Sequence, residues 1–165
     1  MDYTFRLALK DDIDSVLHLY ETRVQWMEHK GLRQWNTTNY LSVYSQHYFQ
    51  KQSEEENLYV FERISSGKII GAVVLLQSDE RWDECKKDKA YYIHNLVTDS
   101  FEKGIGILIL NKIEKLAIRD GKRYLRLDCA DDSEFLNSYY EKMGYLAIER
   151  FHEGSYLGIK REKQL

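Results

Sequence analysis

Apolar residues alternate with polar ones over residues 3–9 (YTFRLAL), then recur at three- and four-residue steps through Ile13, Val16, Leu17, Tyr20, Val24 and Met27. The first period is that of a strand, the second that of a helix with one buried stripe. Asp11-Asp12 offers this helix an N-cap and Gly31 ends it. Weaker periodicity, rich in tyrosine, predicts a second helix over 39–53, with Glu54-Glu55-Glu56 as a solvated turn. Residues 58–64 (LYVFERI) and 68–77 (KIIGAVVLLQ) read as strands, and the short Ser65-Ser66-Gly67 link between them implies an antiparallel hairpin. A charged loop at 79–89 leads to a further strand at 90–98 (AYYIHNLVT) and a turn at Asp99–Lys103. A helix from Gly104 to Asp120 follows, burying Ile109, Leu110, Ile113, Leu116 and Ala117. Strand 123–128 then precedes helix 132–143, with Phe135, Leu136, Tyr139, Tyr140 and Met143 on one face, and strands at 145–151 and 155–160 close the chain.

This order, β-α-α-β-β-β-α-β-α-β-β, places one strand–helix–strand crossover at 90–128, whose two strands must run parallel. The other strand connections read mostly as hairpins. The expected fold is α/β (α+β), a mixed, mostly antiparallel sheet of about seven strands with helices on both faces. No repeat, low-complexity run or Gly/Ser-rich linker divides the 165 residues, so residues 1–165 are expected to form a single domain.

Composition narrows the function classes. The chain is 43% hydrophobic and 31% charged, an ordinary globular balance, with a formal charge of −3. There is no basic stripe for nucleic acid, no apolar run of membrane-spanning length and no basic-then-apolar leader. Two cysteines without CxxC spacing, Cys85 and Cys129, suggest neither a disulfide framework nor a metal site. The expected setting is the reducing cytoplasm.

Chemistry concentrates in Leu96-Val97-Thr98-Asp99-Ser100-Phe101-Glu102-Lys103-Gly104-Ile105-Gly106, where a strand runs through a glycine-containing turn into a helix. The first turn of a helix leaves amides unpaired at the positive end of its dipole, which suits phosphate. Lys103 adds a positive charge. A Walker-type loop is absent, and Ile109 stands where a dinucleotide fingerprint needs its third glycine. The two glycines also fit a plain tight turn, and the motif alone does not choose.

Two motifs together do choose. Residues 101–106 are similar to the Arg/Gln-x-x-Gly-x-Gly/Ala loop of the GNAT superfamily of acyl-CoA N-acyltransferases. Leu136-Asn137-Ser138-Tyr139-Tyr140-Glu141-Lys142-Met143-Gly144-Tyr145 resembles that family's LN-x-x-YY-x-x-x-G-(Phe/Tyr) region. Lys30-Gly31-Leu32-Arg33-Gln34-Trp35 looks like a bacterial branch of the family, and the element order matches it from residue 3 to about 160. The resemblance implies an N-acetyltransferase that moves an acetyl group from acetyl-CoA to a primary amine, without a metal. It implies that backbone groups of Asn95, Leu96, Val97 and Thr98 pair with the pantetheine arm. The amides of Lys103, Gly104, Ile105, Gly106 and Ile107 would hold the pyrophosphate, with Ser133 and Asn137 as further cofactor contacts. Tyr140 falls at the position of the tyrosine that protonates the departing thiolate.

The chain departs from the pattern in places. Phe101 replaces the usual Arg or Gln, Glu102 sets negative charge beside the loop, and Ser133 replaces an Asn. Tyr91 occupies the place of the usual glutamate base, leaving His94 as the nearest titratable substitute; a sheet histidine or a water relay are the other readings. Trp26, Trp35, Tyr40, Tyr44, Tyr48 and Trp82 are candidates for the acceptor mouth, where aromatic walls suit a cationic amine, or for core and homodimer contacts. A catalytically degenerate acyl-CoA sensor and a nucleotide-binding module remain the alternative functions.

Overall fold

A computed structural model describes residues 2–165. Seven strands, β1 (Tyr3–Leu7), β2 (Leu58–Arg63), β3 (Lys68–Leu76), β4 (Ala90–Thr98), β5 (Tyr124–Ala130), β6 (Leu146–Glu153) and β7 (Tyr156–Gln164), line up in the order β1-β2-β3-β4-β5-β7-β6. The helices are α1 (Ile13–His29), α2 (Tyr40–Val43), α3 (Gln46–Glu54), α4 (Ile105–Arg119) and α5 (Glu134–Lys142). The β1–β2, β2–β3, β5–β7 and β6–β7 pairs are antiparallel, and β4 runs parallel to β5, as the crossover required. The α/β, mostly antiparallel expectation holds. The chain forms two compact units, Met1–Leu75 with Asn95–Lys112, and Leu76–His94 with Ile113–Leu165.

In the first unit, α1 buries Ile13, Val16, Leu19, Tyr20 and Met27, close to the stripe read from the sequence. Gly31 ends the helix in the left-handed region (φ 66°). The expected cap differs, because Asp12 makes no side-chain bond to the amides of α1. Its carboxylate pairs instead with Arg6 at 2.6 Å and accepts the Leu9 N–H at 2.7 Å. The two-oxygen ion pair with Arg6 holds the carboxylate away from the first turn of α1. The helix expected over 39–53 breaks at Tyr44-Ser45: Ser45 turns extended and accepts the Tyr48 N–H, capping α3. Gly71 of β3 earns its place by space, since a Cβ there would lie 2.5 Å from Ile109 Cδ1 of α4.

In the second unit, Arg126 is buried on β5 and bonds Asp88, Glu162 (2.7 Å) and the Tyr92 hydroxyl (3.0 Å). Its guanidinium lies 4.8 Å from the Trp82 ring, and Lys160 Nζ lies 5.5 Å from the same ring. Trp82 is only 3% exposed, so it is part of this cluster and not of an open acceptor mouth. Phe135, expected on the inner face of α5, is 76% exposed, while Tyr140 is buried. A helix of nine residues offers one narrow stripe, and Tyr140 with half-buried Leu136, four residues earlier, takes it.

Three carboxylates make the fold sensitive to acid. Burial alone would raise the pKa of Asp12, Asp79 and Asp99, but the hydrogen bonds each accepts outweigh it and hold all three below the ordinary 3.8. Unfolded, these groups take up protons at a pH where the folded ones stay ionised. The stability they supply is therefore complete above pH 3.8 and is lost as pH falls through the lower folded values. Urea unfolding across an acid series is expected to show this loss, and Asp99→Asn to flatten it. An unchanged slope in Asp99→Asn would contradict the Lys68–Asp99 contribution.

Candidate active site

The β4–α4 turn is held from both sides. Asp99 accepts Lys68 Nζ at 2.7 Å and the Phe101 N–H at 2.9 Å, while its own N–H donates to Ile70 O at 2.8 Å. Glu102 pairs with Arg63 at 2.6 Å. Arg63 and Lys68 flank the β2–β3 turn, so two ion pairs fasten the loop to one hairpin. The negative charge that Glu102 sets beside the loop is therefore met by Arg63. Phe101 projects from the braced loop, 85% exposed. Gly104 sits at φ 80°, and a Cβ built there meets nothing within 4 Å. The Leu108 N–H reaches Gly104 O at 3.3 Å, which leaves the amides of Ile105, Gly106 and Ile107 as the orphan donors of the first turn.

The strand entering this turn is irregular. β4 pairs with β5 only through Ala90–Tyr92. Asn95 is left-handed (φ 53°), and its carbonyl accepts the Tyr20 hydroxyl. Beyond it the Asp99 N–H faces β3, and by strand alternation Leu96 and Thr98 present their N–H and C=O on the opposite edge. Arg23 of α1 already fills one of these groups, donating to Thr98 O (2.7 Å) and Thr98 Oγ1 (2.9 Å).

The second unit holds the other candidates. The Tyr140 ring is buried, and burial, with smaller contributions from Cys129, Tyr139 and Asp128, pushes its phenol well above the usual range. It therefore carries its proton throughout neutral pH. Asn137 is spent on structure: its Nδ2 donates to Ala130 O, Asp131 O and Ser133 O at 2.9–3.1 Å, and its Oδ1 accepts from Arg161 at 2.8 Å. Ser133 caps α5 through Leu136 N–H. His94 Nε2 lies 2.9 Å from Asp79 Oδ2, and Asp79 is fixed in turn by the Arg81 N–H at 2.9 Å. The Tyr91 hydroxyl donates to Asp120 at 2.7 Å. Among the described residues, no group of three or more His, Cys, Asp or Glu could hold a metal ion.

The sequence model of the acetyltransferase (GNAT) family matches residues 18–145, through both units. The chain belongs to the GNAT family. Among its relatives is a Bacillus subtilis (strain 168) protein named uncharacterized N-acetyltransferase YesJ, 28% identical over 145 residues, covering 84% of this chain and 78% of that one. The GNAT-family acetyltransferase from Listeria monocytogenes 4b F2365 shares the fold at a TM-score of 0.81 with 23% identity, covering 99% and 95% of the two chains. The PaiA N-acetyltransferase from Thermoplasma acidophilum, solved in complex with coenzyme A, matches at a TM-score of 0.75 with 16% identity over 100% of both chains. The protein is thus a GNAT acyltransferase of the N-acetyltransferase type.

Tyr20 and Arg23 stand outside the sequence-based site, and the sequence does not link Asp79 to His94. For Tyr20 a signal existed. It sits on the apolar stripe of α1, and a buried tyrosine needs a partner for its hydroxyl.

Proposed function

We propose that this GNAT enzyme transfers the acetyl group of acetyl-CoA to a primary amine in the cytoplasm. The observation that carries the donor assignment is Gly104, left-handed with open space where a side chain would stand, at the head of three unpaired helix amides. The coenzyme A bound by the Thermoplasma acidophilum neighbour supports the same donor. In this reading Lys103–Ile107 hold the pyrophosphate, and the edge of β4 at Leu96, beyond its pairing with β5, pairs with the pantetheine arm. Asn137 serves by pinning Arg161 and the 130–133 backbone, and Ser133 by starting α5. The attacking amine must shed a proton. His94, its Nε2 engaged by Asp79, offers Nδ1 to receive that proton, and Tyr140 supplies one to the thiolate as the tetrahedral intermediate collapses.

The test is thiol release from acetyl-CoA across polyamines, amino acids, aminoglycosides and peptide N-termini, with mass spectrometry of the amine. Acetylated product supports the reading. Binding of acetyl-CoA with no product from any amine returns the protein to a sensor.

Because Arg63 neutralises Glu102, Glu102→Gln is expected to change acetyl-CoA affinity less than about threefold, the scale of an exposed ion pair. Calorimetry at low and high salt checks this. A large, salt-dependent tightening would show that Glu102 repels the phosphates after all.

A further inference from the structure

Three tyrosine hydroxyls from three helices converge on one residue of β4. Tyr20 of α1 donates to the Asn95 carbonyl, Tyr48 of α3 donates to Asn95 Oδ1 at 2.9 Å, and Asn95 Nδ2 donates to the Tyr40 hydroxyl of α2 at 2.6 Å. Asn95 itself holds φ 53°, a conformation that side-chain-bearing residues avoid and that asparagine tolerates better than most. A strand that merely had to bend here would be served by glycine, with no need of an amide. The position of the outlier is informative. Upstream, Ala90–Tyr92 pair with β5; downstream, Asp99 is bonded to β3, and with Arg23 on Thr98 O the free edge consists of the Leu96 N–H and C=O and the Thr98 N–H.

We propose that Asn95 is a positioning residue: clamped by Tyr20, Tyr40 and Tyr48, it fixes the turn of β4 that presents the Leu96 N–H and C=O to the pantetheine arm of the donor. This rests on the acetyl-CoA reading above. The clamp acts through the backbone, and its side chains need not touch the donor. Burial raises the phenol pKa of Tyr20 and Tyr48, so both remain donors at any pH the enzyme meets. Tyr40 also stacks on Trp35 (4.4 Å) and lies 4.5 Å from Tyr44, which ties the clamp to the aromatic ladder of α2 and α3.

The experiment compares two probes by calorimetry, acetyl-CoA and adenosine 3′,5′-bisphosphate, which has the nucleotide but no arm. Thermal midpoints are recorded alongside. Asn95→Ala, which loses the tolerated φ and the Tyr40 and Tyr48 bonds while keeping the carbonyl that Tyr20 donates to, is expected to weaken acetyl-CoA about tenfold or more while leaving the bisphosphate unchanged. Asn95→Gly keeps the conformation accessible without the Tyr40 and Tyr48 bonds and is expected to fall between Asn95→Ala and the unaltered chain. Asn95→Asp tolerates the same φ and offers oxygens to both Tyr48 and Tyr40, so it restores most of the affinity. Equal losses for the two probes, or unchanged acetyl-CoA binding in Asn95→Ala, overturn the proposal. An unaltered chain that binds neither probe refutes the donor reading itself, and a folded Asn95→Asp bound as poorly as Asn95→Ala also counts against the clamp.

Discussion

Phenylalanine at position 140 is expected to lower kcat and kcat/KM together by about 10²- to 10⁴-fold, the range of general acid help in a transition state. Acetyl-CoA affinity and the thermal midpoint should stay nearly constant, because the ring still fills the same buried space. The phenol is suited to the task in one respect the structure makes explicit: burial keeps it protonated, so the proton is present whenever the thiolate departs. Its neighbour supplies the control. Tyr139 is less buried, stacks on exposed Phe135 at 6.2 Å, and Tyr139→Phe is expected to be nearly silent. Steady-state kinetics with the best amine of the panel decide the matter. Full turnover in both variants would make Tyr140 a packing residue.

Valine at Gly104 is expected to weaken acetyl-CoA binding about a hundredfold, through two effects that add. The φ of 80° is hostile to a β-branched residue, and its Cβ would enter the open space above the orphan amides. Strain at one such residue costs stability on the order of 1–3 kcal/mol, which a small domain survives. Gly104→Ala, with less bulk, should show a smaller loss of affinity. Calorimetry on folded protein reads both, and a folded Gly104→Val that binds acetyl-CoA like the unaltered chain would place the pyrophosphate elsewhere.

What the sequence revealed and what it concealed divide along a physical line. Periodicity is local, so β4 was found at its observed bounds and α4 within a residue of its start and end. Gly31 marks the end of α1 because a left-handed residue at C′ costs glycine little. Periodicity over 39–53 hides the break between α2 and α3, which falls at Ser45, a better cap than an interior residue. Side-chain partners were harder. Tyr20 and Asn95 stand 75 positions apart, as do Arg23 and Thr98, and no pattern along the chain announces such pairs. Glu102 finds its partner in Arg63, at the end of a strand in the preceding hairpin, which no local pattern announces. Asp79 lies only 15 positions before His94, and a loop just before a strand is a natural place to look for a carboxylate that orients its histidine.

An amide NMR titration of the nitrogen-labelled chain with coenzyme A tests the central assignment most directly. The account expects the largest shifts at the amides of Lys103, Gly104, Ile105, Gly106 and Ile107, where the pyrophosphate accepts their protons, with a further shift at Leu96. Shifts that leave the first turn of α4 untouched and gather elsewhere would contradict it.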